Sequence, residues 1–247
     1  MNKLIKLPNK GKVIFVGDTH GDLDASEKVF KKYFKKDNIL VFLGDYVDRG
    51  YYSKENADYL LKKREENPGR VELLIGNHET YSLSEFYPAD FWEDIVNNPE
   101  LYQKYNKSLL DLPFMAYSEN GILAVHGAAP DIKSFEEVKE INYSQGDKRF
   151  NTATWGDFVD FDGDAFGKNG IGRPQFGKLY FERVMKALKM NVLIRAHQPD
   201  APERLYDDKC ITIFTSNAYG TERKVAIAPL DKKIITPEDI KIKSLDN

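Results

Sequence analysis

Five short apolar segments of the chain each end in side chains that can bind a metal ion. With the residues that follow them, these segments read VIFV-GDTHGD, LVFL-GDYVDRG, VELLI-GNHE, ILAV-HGAAPD and VLI-RAHQPD. The candidate ligands are Asp18, His20, Asp45, Asp48, Asn77, His78, His126 and His197. All 4 histidines of the chain belong to this set, although unconstrained histidines would also occur in helices and surface loops. The carboxyl ends of strands in α/β sheets lie along one crevice, so we expect these residues to converge.

The types of these side chains indicate which metals they would bind. Carboxylate, amide and imidazole groups without a thiolate suit Mn, Fe or Zn better than Ca or a sulfur-rich structural zinc. About six ligands exceed the four that a single tetrahedral zinc takes. Two metal ions about 3.5–4 Å apart that share one carboxylate would use them all, and such a pair stabilises the attacking and leaving oxygens of a displacement at phosphorus. Asp45, on the central segment, is the natural bridge.

Each of these residues also has an ordinary structural explanation. Asp and Asn cap helices and form turns, and Gly17, Gly44 and Gly76 could form tight turns between strand and helix. That explanation must account for five strand ends at once, and we therefore favour a metal site.

Arg49 and one of the candidate ligands, His78, suggest phosphate chemistry. The planar guanidinium of Arg49 matches the geometry of phosphate oxygens. Adjacent side chains on an extended segment point apart, so Asn77 and His78 are not expected to face the same metal. His78 is therefore a candidate acid.

The elements that would position these residues follow from the alternation of short β-branched or aromatic runs with longer charged segments, which indicates βαβ units. We expect strands at 13–16, 39–43, 71–75, 122–125, 192–194, 211–215 and 225–227, helices at 22–34 and 53–66, and further helices within 79–112. Residues 142–177 are expected to form an irregular, glycine-rich excursion, and residues after 230 a surface tail. The aromatic segment 81–105 is interpreted as helix-packing core rather than as a wall of the cleft.

Length and composition limit the class of protein. The 247 residues, 28.4 kDa, are expected to form one domain, 1–247, with a core at about 11–230. A net charge of −3 and a pI near 5.9 argue against a nucleic-acid partner. The single cysteine cannot form an intrachain disulfide, and no segment is recognised as a leader or a membrane span. We therefore expect a cytoplasmic protein with no membrane partner, and a monomer.

Three motifs carry a family resemblance. GDTHG (17–21), GDYVDRG (44–50) and GNHE (76–79) resemble the signature of the phosphoprotein phosphatases, the metal-dependent serine/threonine protein phosphatases of the calcineurin-like metallophosphoesterase superfamily. The resemblance continues through LLDLPFMA, HGAAPD, TWGD, LIRAHQ and FTSNAYG in the order of the family, over about residues 11–230. It implies an α/β fold with a central β-sandwich of mixed sheets flanked by helices and an active site at the carboxyl ends of the strands.

The resemblance also implies roles for individual residues. Asp18, His20 and Asp45 would bind a first metal, and Asp45, Asn77, His126 and His197 a second. A metal-bridging water would attack the phosphorus of a phosphorylated protein or peptide, and His78, polarised by Asp48, would protonate the leaving group. Arg49 would bind the phosphoryl oxygens, aided by Asn77, and Tyr219 would line the cleft. The two divalent or trivalent metals are expected to be Mn, with Fe or Zn as alternatives.

The sequence departs from the family pattern at three places. KNGIGRPQFG replaces the usual Arg-Gly pair ahead of Phe-Gly, so we predict that Arg173 is the second phosphate-binding arginine, with a surface loop position as the alternative. His126 is followed by Gly-Ala rather than Gly-Gly, which leaves the ligand unchanged. Gly220 follows Tyr219 where several eukaryotic members have cysteine, so covalent capture of this position by inhibitory toxins is not expected.

Three other functions remain open at this point. Relatives that cleave dinucleoside polyphosphates share the metal motifs but tend to lack an acid at the position of Asp48, which disfavours that activity here. A broad-specificity phosphoesterase is a further alternative. A binding module without activity is disfavoured because every ligand and the proton donor are present. The acidic loop 157–164 and Trp155 could select charged substrates, but the sequence does not specify which.

Overall fold

The computed structural model describes residues 2–246 of the chain. Its strands are β1 Leu4–Lys6, β2 Lys12–Val16, β3 Asn38–Phe42, β4 Val71–Leu73, β5 Met115–Ser118, β6 Ile122–Val125, β7 Asp157–Phe158, β8 Ala165–Lys168, β9 Pro174–Phe176, β10 Val192–Arg195, β11 Arg204–Leu205, β12 Cys210–Thr212, β13 Lys224–Pro229 and β14 Lys241–Ser244. Its α-helices are α1 Leu23–Tyr33, α2 Ser53–Glu66, α3 Asp90–Ile95, α4 Pro99–Leu110, α5 Lys148–Trp155 and α6 Lys178–Leu188. Short 3₁₀ segments lie at His78–Leu83, Phe135–Glu140 and Pro237–Asp239.

The first third of the chain forms the expected βαβαβ unit. Strands β2, β3 and β4 are parallel neighbours, so their carboxyl ends lie at one edge of the sheet. Helix α1 begins after Asp22, whose carboxylate accepts a hydrogen bond from the backbone N–H of Ala25 at 3.0 Å. Helix α2 has the bounds expected from the sequence. The loops that follow the three strands are therefore brought together by local structure alone.

Two mixed sheets pack face to face to form the core. One sheet has the order β1-β5-β6-β10-β12-β11 and the other β14-β13-β2-β3-β4. Along β2, Val13 and Phe15 pack in a cluster with Ala124 and Ile194 of the opposite sheet, whereas Ile14 packs in the cluster shared with the helices. This alternation confirms the expected fold class, a β-sandwich of mixed sheets flanked by helices.

The expectation of irregular structure across 142–177 was wrong. This segment contains α5 and a small sheet with the order β7-β9-β8. Its strands are 2 to 4 residues long, and every residue of β8 is exposed, so no period-2 pattern of apolar residues marks them in the sequence. The pairing of β7 with β9 is parallel and joins residues far apart in the chain.

The expectation of a surface tail after 230 was also wrong. Strand β14 pairs antiparallel with β13 and extends the second sheet. Ile234, Ile240 and Leu245 are buried in the core, although most of the residues between them are exposed or only partly buried. Strands β1 and β5 were not expected either, and they form one edge of the first sheet.

The aromatic segment 81–105 largely packs into the core. Trp92 and Tyr105 are fully buried, and Trp92 stacks on Tyr81 with ring centroids 5.6 Å apart. This confirms the packing interpretation for most of the segment. Phe86 and Tyr87 are exceptions, because they line the cleft described below.

Within residues 2–246, no helix is both long enough and apolar enough to cross a membrane.

We predict that Gly44→Ala destabilises the fold more than Gly69→Ala. Both glycines have left-handed backbones, with φ of 110° and 74°, so both substitutions impose a conformational cost of about 1 kcal/mol or more. A Cβ at Gly44 would lie 2.5 Å from the Gly76 nitrogen and 2.9 Å from His126 Nδ1, whereas a Cβ at Gly69 has no neighbour within 4 Å. The clash should lower the free energy of unfolding by about a further 1–3 kcal/mol, measured by urea denaturation of the metal-free protein. Equal losses in the two variants would contradict this prediction.

Candidate metal centre

The structure brings all of the predicted metal ligands to one place. Asp18 and His20 follow β2, Asp45 follows β3, Asn77 follows β4, His126 follows β6 and His197 follows β10. Each of these side chains is at most 3% exposed. Six polar side chains of this kind are rarely buried together without a compensating ligand.

Several residues of the site have a strained backbone. The left-handed φ angles are 42° at His20, 56° at Asp45, 67° at Asp48, 70° at Arg49 and 73° at His197. A non-glycine residue in this region costs on the order of 1 kcal/mol or more, and such residues are concentrated at functional sites. The carbonyl of Asp45 accepts hydrogen bonds from the N–H groups of Thr19 and His20 at 3.1 and 2.9 Å, which couples two of these loops.

Four ligand atoms converge on a single point of the predicted second metal site. The Nε2 atom of His126 lies 3.0 Å from Asn77 Oδ1, 3.1 Å from His197 Nδ1 and 3.3 Å from Asp45 Oδ2. The Nδ1 atom of His126 lies 2.9 Å from the carbonyl of Leu43, to which it donates, and Nε2 is thereby directed toward the other three atoms.

The predicted first metal site lies beside this point and shares Asp45 with it. The Nε2 atom of His20 is 3.6 Å from Asp18 Oδ2 and 3.7 Å from Asp45 Oδ2. Its Nδ1 atom lies 2.9 Å from the carbonyl of Val47, which again directs Nε2 into the site. Asp45 belongs both to the potential metal-binding group with His20 and His78 and to the group with His126 and His197. This is the position that a bridging carboxylate requires.

The unsatisfied atoms of the site test whether these residues fit metal ions. The buried carboxylate oxygen Asp18 Oδ2 finds no hydrogen-bond partner within residues 2–246. His126 Nε2 also faces an amide oxygen and a carboxylate, both of which are acceptors, so a cation or a proton must lie between them. Cations among these atoms would satisfy the lone pairs and offset the desolvation of the carboxylates, so the residues fit a metal centre with oxygen and nitrogen ligands.

Buried charges in the site shift the pKa values of its ligands in opposite directions. Burial opposes protonation of His20, but the nearby carboxylates of Asp18 and Asp45 raise the pKa of His20 to about 9. Burial favours the neutral acid at Asp45, yet the imidazoles of His126 and His78 hold the pKa of Asp45 well below its usual range. Burial and the guanidinium of Arg173 lower the pKa of His197. The carboxylate of Asp45 is therefore ready to bind a cation.

The predicted proton donor lies next to the first metal site. His78 Nδ1 lies 2.6 Å from Asp48 Oδ2, and the other oxygen of Asp48 accepts a hydrogen bond from the N–H of Phe91 at 2.8 Å. Trp92 Nε1 donates to the carbonyl of His78 at 2.8 Å. These bonds fix the imidazole ring and leave Nε2, 3.9 Å from Asp45 Oδ2, unbonded.

The backbone argument for separating Asn77 from His78 was wrong. Asn77 has helical φ and ψ of −72° and −29°, and the 3₁₀ segment begins at His78, so the two residues do not lie on an extended segment. The hydrogen bond with Asp48, rather than strand alternation, determines where the imidazole of His78 points.

Arg49 and Tyr219 form one wall of the site. The Nε atom of Arg49 donates to the hydroxyl of Tyr219 at 3.0 Å, and Nη1 donates to the carbonyl of Pro88 at 2.8 Å. The ring of Tyr219 lies 5.6 Å from the ring of His20. Both side chains therefore lie near the predicted metal ligand His20.

Arg173, in the loop between β8 and β9, lines the same cleft as Arg49. A cleft with a volume of about 420 Å³ is lined by Arg49, Asn77, His78, Trp155 and Arg173, among others. The guanidinium of Arg173 lies 5.8 Å from the centre of the Trp155 ring. Its Nε atom has no hydrogen-bond partner within the described chain. Two arginines thus line one cleft together with the predicted metal ligand Asn77 and the predicted proton donor His78.

Two carboxylates near the site were not singled out by the sequence analysis. Asp157 Oδ1 lies 3.4 Å from His197 Nε2 and 4.0 Å from Arg173 Nη1, and Oδ2 accepts a hydrogen bond from the Asn169 amide at 3.2 Å. Asp157 therefore connects a metal ligand to the hairpin that carries Arg173. Asp157 is the last residue of the TWGD motif, and this motif is the sequence feature that could have identified it as part of the site.

Glu79 is the second of these carboxylates. It accepts hydrogen bonds from the N–H groups of Asp45, Tyr46 and Gly76, each at 2.8 Å. Burial and the charge of Asp45 raise the pKa of Glu79 to about 7. Glu79 thus positions the bridging carboxylate through its backbone, and it is the last residue of the GNHE motif.

Comparison with known proteins relates this geometry to a family. The calcineurin-like phosphoesterase family matches residues 11–201 of the chain. A protein phosphatase 2A catalytic subunit from Dictyostelium discoideum is 30% identical over 218 residues, which cover 84% of this chain and 69% of that protein. A probable serine/threonine-protein phosphatase of Encephalitozoon cuniculi is 27% identical over 227 residues, 87% of this chain and 49% of that protein.

A solved structure has the same fold. It is a serine/threonine phosphatase from Saccharomyces cerevisiae with similarity to human phosphatase PP5, and it superimposes with a TM-score of 0.82 over 98% of this chain and 83% of that chain. Its sequence identity is 22%, so this similarity concerns the fold. The chain spans about half the length of the first two curated relatives that it matches, 49% and 56%.

We predict that Asp157→Asn weakens metal binding about 10- to 100-fold, the usual effect of removing a carboxylate partner of a metal-binding histidine. Asn keeps the shape of the side chain and can still accept the hydrogen bond from Asn169. It removes the negative charge that faces His197 Nε2. Calorimetric titration of the metal-free protein with Mn²⁺ measures the change, and the exposed Asp160→Asn, in the same loop, is the matched control. Unchanged affinity in Asp157→Asn would show that this carboxylate does not support the ligand.

Proposed function

Because the chain belongs to the calcineurin-like phosphoesterases and, among them, to the phosphoprotein phosphatase family, we propose that it hydrolyses phosphoserine and phosphothreonine in proteins. One observation carries the proposal. Asp45 is shared by two groups of buried ligands, and the His78–Asp48 pair lies directly beside them. Metal ligands, a fixed imidazole and two guanidinium groups in one cleft are what a phosphomonoesterase needs.

The ligands divide into two sets in this proposal. Asp18, His20 and Asp45 hold one metal ion, and Asp45, Asn77, His126 and His197 hold the other. Manganese is proposed for both positions, because the ligand set contains oxygen and nitrogen atoms and no thiolate. When bound, the two ions supply electrostatic stabilisation of the phosphoryl oxygens and lower the pKa of the attacking water toward neutrality.

The protein's own groups orient the substrate and supply the proton. Arg49 and Arg173, which line the same cleft, bind the phosphoryl group, and the hydroxyl of Tyr219 orients Arg49. His78 donates a proton from Nε2 to the leaving alkoxide, since Nδ1 is occupied by Asp48. The carboxylate of Asp48 stabilises the protonated imidazole of His78. The imidazole can therefore protonate a poor leaving group such as the serine alkoxide.

The main alternative, cleavage of dinucleoside polyphosphates, is not favoured. Asp48 is present, and its Oδ2 lies 2.6 Å from His78 Nδ1. Enzymes with the alternative activity tend to lack an acid at this position. Diadenosine tetraphosphate is the substrate that distinguishes the two activities. The phosphorylated partner protein, the cytoplasmic location and the monomeric state stay predictions from the sequence.

We predict that His78→Asn lowers kcat for a phosphothreonine peptide by about 10²- to 10⁴-fold, the range expected for loss of a general acid. Asn keeps a side chain of similar polarity but cannot supply the proton. The assay uses protein that has been treated with chelator and reloaded with Mn²⁺. His126→Asn is the contrast, because it should lower the Mn²⁺ content as well as the activity, whereas His78→Asn should leave the content near that of the wild type.

The outcomes of this experiment separate the parts of the proposal. Activity that His78→Asn retains would place the proton donor elsewhere. A folded, Mn²⁺-loaded wild type that leaves phosphopeptides intact but cleaves diadenosine tetraphosphate would contradict the proposed substrate class.

We predict that Arg173→Ala lowers kcat/KM for the same peptide by about 10- to 100-fold, because a charge-assisted hydrogen bond to a phosphoryl oxygen is lost. Arg183→Ala is the matched control, since Arg183 is exposed and pairs with Asp131 at 2.7 Å and Asp164 at 3.0 Å. Equal activity of the two variants would mean that Arg173 does not contact the substrate.

A further inference from the structure

A second cavity adjoins the catalytic cleft on the side of the β8–β9 hairpin. Its volume is about 570 Å³, and Gln145, Asn151, Gly172 and Pro174 line both spaces. These four residues therefore form part of the boundary between the two cavities. An extended peptide whose phosphorylated residue occupies the cleft can pass its neighbouring residues over this boundary, at about 3.3 Å per residue.

The second cavity carries an excess of positive charge. Lys148 and Lys168 line it, are exposed, and have no ion-pair partner among the described residues. The carboxylate of Asp131, which also lines the cavity, is paired with Arg183 at 2.7 Å. Arg149 is likewise neutralised by Asp147 at 3.0 Å. The two lysines are therefore the charges available to a ligand.

The floor of this cavity is apolar and fixed. Phe176 stacks on Tyr180 with ring centroids 4.1 Å apart, and the hydroxyl of Tyr180 donates to the carbonyl of Ala129 at 2.9 Å. A rigid aromatic floor lowers the cost of ordering a bound peptide, since the surface need not rearrange.

On the other side of Arg49, the charge available to a ligand is negative rather than positive. A cavity of about 670 Å³ there is lined by Asp22, Asp24 and Glu27, and Arg223 pairs with the first two at 3.2 and 2.7 Å. Glu27 has no ion-pair partner among residues 2–246. The surfaces on the two sides of the phosphoryl-binding groups thus differ in the sign of their available charge, which is a basis for discriminating between substrates.

We propose that Lys148 and Lys168 bind an acidic side chain of the substrate, a few residues from the phosphorylated serine or threonine on the hairpin side. The inference rests on the proposed phosphatase function and names a class of its substrates. Lys168 and Arg173 lie at the two ends of one hairpin loop, so the same hairpin contacts both the phosphoryl group and the neighbouring acidic residue. This loop lies within KNGIGRPQFG, where the sequence departs from the pattern of the family.

The test measures kcat/KM of the Mn²⁺-loaded protein for phosphothreonine peptides that differ only near the phosphorylated residue. In one series, the residue before the phosphothreonine is Glu, Ala or Lys. In the other series, the residue after the phosphothreonine is varied in the same way. We expect Glu to exceed Ala by about 3- to 10-fold in one of the two series, as for one or two exposed ion pairs. The preference should fall below about 2-fold in 0.5 M NaCl, because exposed charges are screened.

Two variants and a control assign this preference to the lysines. The double variant Lys148→Glu and Lys168→Glu should reverse the preference so that Lys exceeds Glu, and Lys148→Gln with Lys168→Gln should abolish it. The double variant Lys232→Glu and Lys233→Glu changes the net charge by the same amount. Lys232 lies beside Asn120, which precedes β6, whereas His126 follows the other end of that strand. This control should behave as the wild type. All variants should hydrolyse p-nitrophenyl phosphate, which does not reach the second cavity, at the wild-type rate.

The outcomes of these assays distinguish the acidic-substrate inference from the proposed phosphatase function. Equal kcat/KM for the Glu and Ala peptides, or a preference that persists in both lysine variants, would overturn the acidic-substrate inference while the phosphatase function stands. Hydrolysis of p-nitrophenyl phosphate without hydrolysis of any phosphopeptide would overturn the proposed function itself. A higher kcat/KM for diadenosine tetraphosphate that depends on Lys148 and Lys168 would assign the cavity to a polyphosphate chain and overturn the inference.

Discussion

The mutual approach of buried lone pairs is the interaction on which the structure of this site depends. His126 Nε2, Asn77 Oδ1 and a carboxylate oxygen of Asp45 lie close together, with His126 Nε2 3.0 and 3.3 Å from the two oxygens. Without a metal cation or a proton on His126 Nε2, this arrangement is repulsive and poorly solvated. The protein must therefore supply enough stability elsewhere to preserve the site until metal binds.

That stability comes from the sandwich and from hydrogen bonds that connect the site loops. Arg195 is fully buried, and its guanidinium donates to the carbonyls of Gly127 and Gly156 at 2.7 and 3.1 Å and to the side chain of Gln198. These three residues directly adjoin His126, Asp157 and His197, respectively. One buried cation thus orders three loops of the site and partly offsets the negative charge of its carboxylates.

The sequence predicted those parts of the structure in which candidate functional residues directly follow locally encoded strands. The βαβαβ unit could be predicted because its strands have apolar runs and its helices have regular apolar spacing, and every metal-ligand candidate followed a strand. Prediction failed for β7, β8, β9 and β14, which are short and depend on pairing with distant strands. It also missed Asp157 and Glu79, whose role depends on contacts with residues remote in sequence.

The sequence by itself determined the chemical types of the ligands, their position at strand ends, and the family motifs. Only the tertiary structure decided that Asp45 lies between two ligand groups, that Arg173 reaches the cleft, and that Lys148 and Lys168 face one cavity. Local patterns encode secondary structure, because backbone and side-chain preferences act over a few residues. The meeting of distant side chains is determined by the packing of whole sheets, which no short segment of sequence specifies.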